Sequence, residues 1–240
     1  MRLLLMIAIA LFATGCAKQP VGAWVPVPPA VSPEVIAPPG LIAPPADAAL
    51  PRMTFPLHAE DAQGRAAEPI TMVVAATEAE LADAFAKAGW VSAEPVTPES
   101  TERLRTAQLW KEAYPTAPVA PLYYWGREQD AAWQRPGATV ADRVRVRVWR
   151  SDSQDAEGRW LFALNVAQDA GFLLVPDHGL PLHHLDPKVD DANDALIADL
   201  AEAGVIARQY LLHGIGPNLG FRTTAGEPYQ TAGWVHVLEF

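Results

Sequence analysis

Eleven prolines fall between Pro20 and Pro56, and they confine folding to the C-terminal part of the chain. Proline fixes φ and carries no backbone donor, so residues 17–56 form neither helix nor sheet. Pieces such as Val25-Pro26-Val27-Pro28-Pro29 read as polyproline II. At about 3.1 Å per residue, some forty residues reach roughly 120 Å when extended. The stretch is read as a disordered, proline-rich tether, with a proline-rich recognition ligand as the alternative. Residues 57–240 remain, enough for one domain with its own core.

Ahead of the tether stand one cation, Arg2, an apolar run Leu3–Ala13, and the sequence Ala13-Thr14-Gly15-Cys16. That is a charged region, a hydrophobic region and a small-residue cleavage site. The apolar run is shorter than the roughly 20 residues a spanning helix needs. Cys16 is the only cysteine of the chain and falls directly after the expected cut. The arrangement resembles the lipobox of bacterial lipoproteins, with Ala13 where Leu is usual. It predicts a signal peptide over 1–15 and a diacylglycerol thioether with N-terminal acylation at Cys16. Several acyl chains anchor a protein stably, where a single chain is marginal. Ala17 rather than Asp comes directly after the Cys, which favours the outer membrane with the domain facing the periplasm. With Cys16 lipidated no disulfide is available, so the domain must be held by its core. Loss of Arg2 lowers the formal charge from −10 to −11. A chain so acidic lacks the basic footprint of nucleic-acid binding, and it carries no glycine-rich phosphate loop for a nucleotide.

Periodicity outlines the domain. A strand is expected at Ile70–Ala75, then a helix capped by Thr77 with Glu80 completing a capping box. Leu81, Ala84, Phe85 and Ala88 share one face of it, and Gly89 closes it. Thr97-Pro98 opens a second helix, which ends before Tyr114-Pro115. Strands are expected at Leu122–Trp125, Asp142–Arg150 and Trp160–Val166. Asp186-Pro187 starts a third helix carrying Val189, Leu196, Ile197 and Leu200, ending at Gly204. Val205–Leu211 and Trp234–Leu238 close the domain as strands. The reading is one α+β domain, with a mixed sheet, about three helices and no internal repeat.

Five sequence blocks then carry a family resemblance. They are Leu81–Trp90 with its Ala-Gly-Trp ending, Ala117-Pro118-Val119 with Leu122–Gln134, Arg143–Trp149, His183–Asp190, and Gly226–Gly233. In this order they resemble the LssY C-terminal domain family across roughly 57–240. In that family the domain often comes after membrane segments and is linked by name to type I secretion. The resemblance implies an envelope-associated accessory domain rather than a defined reaction. Three places depart from the family pattern. Arg145 stands where His is usual, Ala232 where Asp is usual, and Ala192-Asn193 where a Glu-Arg pair is usual. These departures weigh against catalysis.

Two groups could carry chemistry. In a strand with a side-chain period of two, Arg143, Arg145, Arg147 and Trp149 share one face while Val144, Val146 and Val148 turn to the core. Guanidiniums roughly 7 Å apart suit an extended anionic ligand or an envelope partner, with Arg127 and Asp130 extending the site. The plainer reading is a solvated sheet face with surface ion pairs. The second group is His178, His183, His184 and Asp186, within nine residues. Imidazole and carboxylate suit a divalent metal, and with Asp169 or Asp186 they outline a metal-assisted hydrolase acting on an envelope component. Asp186 is read first as the cap of the third helix. No cofactor other than such a metal is implied. Nucleophilic catalysis has no Gly-x-Ser-x-Gly elbow to support it.

Cys16→Ala is expected to abolish lipid attachment and move the protein from the detergent phase to the aqueous phase in a phase-partition assay. Unchanged partitioning would overturn the lipoprotein reading.

Overall fold

The computed structural model describes residues 56–174, 181–215, 218–222 and 227–240. The expected signal peptide, Cys16, all of the expected tether but Pro56, and His178 lie outside the described residues. The chain opens with short strands β1 (His58–Glu60) and β2 (Ala66–Pro69), then β3 (Met72–Ala76), α1 (Glu78–Lys87), β4 (Val91–Ser92) and α2 (Pro98–Trp110). Next come β5 (Tyr123–Tyr124), β6 (Arg127–Glu128), β7 (Ala131–Arg135), β8 (Val144–Gln154) and β9 (Trp160–Leu174). β10 (Pro181–Leu185), α3 (Val189–Glu202), β11 (Arg208–His213), β12 (Asn218–Arg222), β13 (Glu227–Thr231) and β14 (Trp234–Glu239) complete it. Among the described residues, three helices and mixed sheets make this the α+β domain that the sequence leads one to expect. No helix among the described residues is long and apolar enough to cross a membrane.

The main sheet runs β11-β14-β3-β9-β8-β7-β4, with β10 added to β9. All its pairings are antiparallel except β14 with β3, where Val237 lies opposite Val73. β9 is long because it serves two partners in turn. The Leu164 carbonyl accepts from Thr71 N–H at 3.3 Å, and further along the Gln168 carbonyl accepts from Asp186 N–H at 2.9 Å. β3 thus gives way to β10. A second sheet, β2-β1-β5-β6, and a hairpin, β12-β13, stand apart from it.

The helices obey their sequence signals. Thr77 caps α1 and Glu80 reaches back to the Thr77 backbone; Thr97 and Ser100 do the same for α2. Gly89 takes φ +78 after α1, a left-handed turn that glycine makes without a Cβ penalty. It delivers Trp90 into the core, edge-on to Phe85, which stacks on Trp133. The Trp90 indole donates to Asp199 of α3 at 2.9 Å, and Arg135 of β7 donates to the same carboxylate. One face of the main sheet, with Met72, Val74, Val144, Val146, Phe162 and Leu164, packs on Leu81, Phe85, Leu196 and Leu200 of α1 and α3. Asp186 does not cap α3. The helix begins at Val189 after Lys188, and the Asp186 carboxylate takes the Lys188 N–H at 2.8 Å, forming a turn before the helix. The expected strand at 142–150 runs on to Gln154, the one at 160–166 to Leu174, and the one at 205–211 shifts to 208–213.

Two of the described histidines, His58 of β1 and His236 of β14, are partly buried. Burial holds His58 and His236 below the ordinary imidazole value of 6.5, while Asp194 and Asp190 pull His236 the other way. A group held down in the folded state takes its proton first in the unfolded chain, so stability falls as the pH drops through 6.5. The melting temperature is expected to decline between about pH 7.5 and 5, above the carboxylate range. A His58→Gln/His236→Gln double variant is expected to show a shallower decline; an unchanged slope would discount both groups.

Candidate functional site

The alternation of β8 sends its arginines to the face opposite the helices, and the structure covers that face. Arg143, Arg145 and Arg147 are 2, 4 and 3% exposed, and Trp149 is fully buried. Both sequence readings of this face, as an open ligand site or a solvated sheet surface, place it in contact with water. The structure encloses it instead, because β2, the 117–122 segment and the second sheet lie over it. Trp149 packs with Ala59, Ala67, Ile70, Leu122, Tyr124 and Ala163. A buried guanidinium must be paired and hydrogen-bonded, and the coverings supply the partners.

Asp169, in the second half of β9, is shared by two of the arginines. Its two carboxylate oxygens accept from Arg143 Nε and Arg145 Nε, each at 2.9 Å. Glu68, on β2, bridges Arg145 at 3.5 Å and Arg147 at 3.3 Å. Arg143 also donates to the Gln134 side chain at 2.7 Å and to the Ala117 and Pro118 carbonyls. Arg147 donates to the Asn165 side chain at 2.9 Å and to the Ala120 carbonyl at 3.0 Å. Asn165 in turn donates to Pro69 O, and Gln134 to Ala117 O. The result is a ladder of charges that fastens strand β2 and the 117–120 segment onto the main sheet. Burial lowers the basicity of Arg143. Burial, with Arg145 next, presses Arg147 down to about 9, which leaves it charged at neutral pH. For Arg145 the burial penalty is outweighed by Glu68 and Asp169, and its basicity rises.

Arg127 and Asp130 sit apart from the ladder, at its rim. They form an ion pair with each other, 39 and 45% exposed, and Arg127 also donates to the Arg150 carbonyl. Asp130 accepts from Arg150 N–H at 2.7 Å. Arg150 lies 4.6 Å over the Trp160 ring and pairs with Glu78. Next to Arg127 is the tight turn joining β5 to β6, where Trp125 has φ +51 and Gly126 φ +75. Two positive φ values in a two-residue hairpin turn are the pattern of type I′, a place for Asn or Gly. A tryptophan there carries roughly 1–2 kcal/mol of backbone strain.

The histidine group is divided. His178 and the His183 side chain lie outside what the structure describes. His184 is partly exposed, with Nδ1 2.5 Å from Glu227, whose other oxygen takes the Leu185 N–H. Asp169, an alternative in the hydrolase reading, has both oxygens committed to arginines. Among the described residues no three His, Cys, Asp or Glu side chains converge as a metal site. The adjoining block is tied to the last one. Asp190 accepts from Thr231 Oγ1 at 2.6 Å and from Ala232 N–H at 2.7 Å. His58 meets the Tyr229 hydroxyl at 3.0 Å, and Tyr229 lies so close over Gly220 that a Cβ there would come within 2.3 Å of the ring. Of the other positions that depart from the family pattern, Ala192 is core and Asn193 accepts from Thr71 Oγ1 at 2.8 Å. Glu68 and Glu227 are the residues that sequence reasoning missed. Each sits in a short strand whose sequence shows no apolar–polar alternation, and its partner is far away in the chain.

Together these features define a class: an α+β domain whose central sheet carries helices on one face and a buried arginine–carboxylate ladder, roofed by a small second sheet, on the other. The family model for the LssY C-terminus matches residues 48–235, and the chain belongs to that family. No curated protein and no solved structure matches the chain.

Asp169→Asn is expected to destabilise the fold by about 3–5 kcal/mol, since it leaves two buried guanidiniums without their shared carboxylate. Glu102→Gln, on the exposed face of α2, is expected to change stability by less than about 0.5 kcal/mol. Urea unfolding midpoints compare the two.

Proposed function

We propose that this chain is a lipid-anchored envelope lipoprotein that presents its LssY-type domain on the proline-rich tether as an accessory binding module. Its partner is an envelope component bearing anionic groups, and its contact surface is the rim at Trp125, Arg127 and Asp130. One observation carries the choice of surface: the strained turn at Trp125. Strain of this kind tends to gather at ligand clamps. Here it holds an indole beside a half-exposed arginine, and these are residue types that dominate binding energy at interfaces. The Arg127–Asp130 pair keeps the guanidinium oriented, and an incoming carboxylate or phosphate can exchange with Asp130. The buried arginines then act as the frame that fixes the rim, since Asp130 N–H bonds the Val148 carbonyl of β8 at 2.8 Å.

A second reading, a metal-assisted hydrolase, draws on one observation. His184 has its Nδ1 held by Glu227, an arrangement that presents Nε2 outward as in many metal ligands. It would use His178, His183 and His184 with Asp186.

Both readings are testable on the full chain. A crosslinker at position 128 should trap an envelope component, and Arg127→Ala or Trp125→Asn should reduce the yield about tenfold or more while leaving the melting temperature within a few degrees. Undiminished crosslinking in both variants would overturn the binding surface. Zinc at about 100 times its dissociation constant should raise the melting temperature by roughly 5–10 °C, reversed by chelator, if the hydrolase reading holds. No shift would remove it.

A further inference from the structure

We propose that the arginine ladder encloses a monovalent inorganic anion, chloride in kind, seated against Nη1 of Arg145. The charge count is the starting point. Arg143, Arg145 and Arg147 face Glu68 and Asp169, and all five side chains are at most 7% exposed. Among the described side chains of this cluster, three cations against two anions leave one unit of positive charge. A guanidinium does not shed its proton near neutral pH, and burying an uncompensated charge is strongly unfavourable.

Donor geometry locates the deficit. Each guanidinium nitrogen of Arg143 has an acceptor among Asp169, Gln134, Ala117 and Pro118. Arg147 Nε and Nη1 are likewise engaged. Arg145 is the middle rung. Its Nε goes to Asp169 and its Nη2 to Glu68, yet its Nη1 is buried with no hydrogen-bond partner. The arginine flanked on both sides by like charges thus has a fully buried nitrogen with no acceptor among the described residues. A water molecule there would satisfy the donors and leave the charge. One small anion satisfies the donors and brings the cluster to neutrality, and the enclosure excludes anything large.

The test uses the full chain in detergent, melted at constant ionic strength while sodium chloride replaces sodium gluconate. The melting temperature is expected to rise and saturate, by roughly 5 °C once chloride is well above its dissociation constant. Bromide should act in the same way, and a bromide-soaked crystal should show anomalous density at Arg145 Nη1. Arg145→Gln removes both the excess charge and the free donor, so its melting temperature should not depend on chloride. If that variant does not fold, the bromide density in the unsubstituted chain decides. A melting temperature indifferent to chloride, or a site that takes up water and no bromide, would overturn the proposal, and neither result bears on the rim at Trp125.

Discussion

The architecture depends on the need of three buried guanidiniums for partners. β8 is a strand with valines on one face and arginines on the other, and only the valine face could be covered by ordinary apolar packing. Covering the arginine face required carboxylates and carbonyls brought from distant parts of the chain. Glu68 comes from β2, Asp169 from the extension of β9, and the carbonyls of Ala117, Pro118 and Ala120 from the segment between α2 and β5. Each donation fixes a separate piece of chain onto the arginine face. The second sheet is built of strands two to four residues long. Such strands are too short to stand alone, and the ladder, with the Trp149 cluster, is what gives them a place.

The sequence made legible whatever depended on local chemistry. Thr77–Glu80 and Thr97–Pro98 mark helix starts because a cap is a contact between near neighbours. Alternation from Arg143 to Trp149 put the arginines on one face for the same reason. The cover over that face is not legible in the sequence, because it sits in β2, about eighty residues upstream, in a four-residue strand with no pattern. The surplus of acidic residues over the whole chain gives no hint of which two turn inward. The beginning of α3 lies a few residues beyond its expected place because Asp-Pro serves equally well as a helix start and as the turn before one, and tertiary pairing of Asp186 N–H with Gln168 chose the turn.

The blocks that carry the family resemblance meet one another in space. Trp90 of the first reaches Asp199 on α3. Arg143 of the third reaches Ala117 and Pro118 at the head of the second. Asp190 and His184 of the fourth are tied to Thr231, Ala232 and Glu227 of the last. Each block is thus half of a joint, and their order along the chain reflects a sheet whose neighbours are mostly not consecutive in sequence. In the second block the Trp125 turn packs on the Tyr124–Trp149 cluster while Arg127, two residues on, is 39% exposed.

The parallel pairing of β3 with β14 sets a timetable. β3 is among the first strands to be made, and one of its two edges is covered only by a strand at the other end of the domain. A polypeptide delivered across a membrane from its N-terminus would expose that edge throughout delivery, and the pairing of distant segments is intrinsically slow. Unpaired edges invite other chains. In any N-to-C-terminal emergence of the chain, β3 therefore stands as an open strand until β14 arrives to close it.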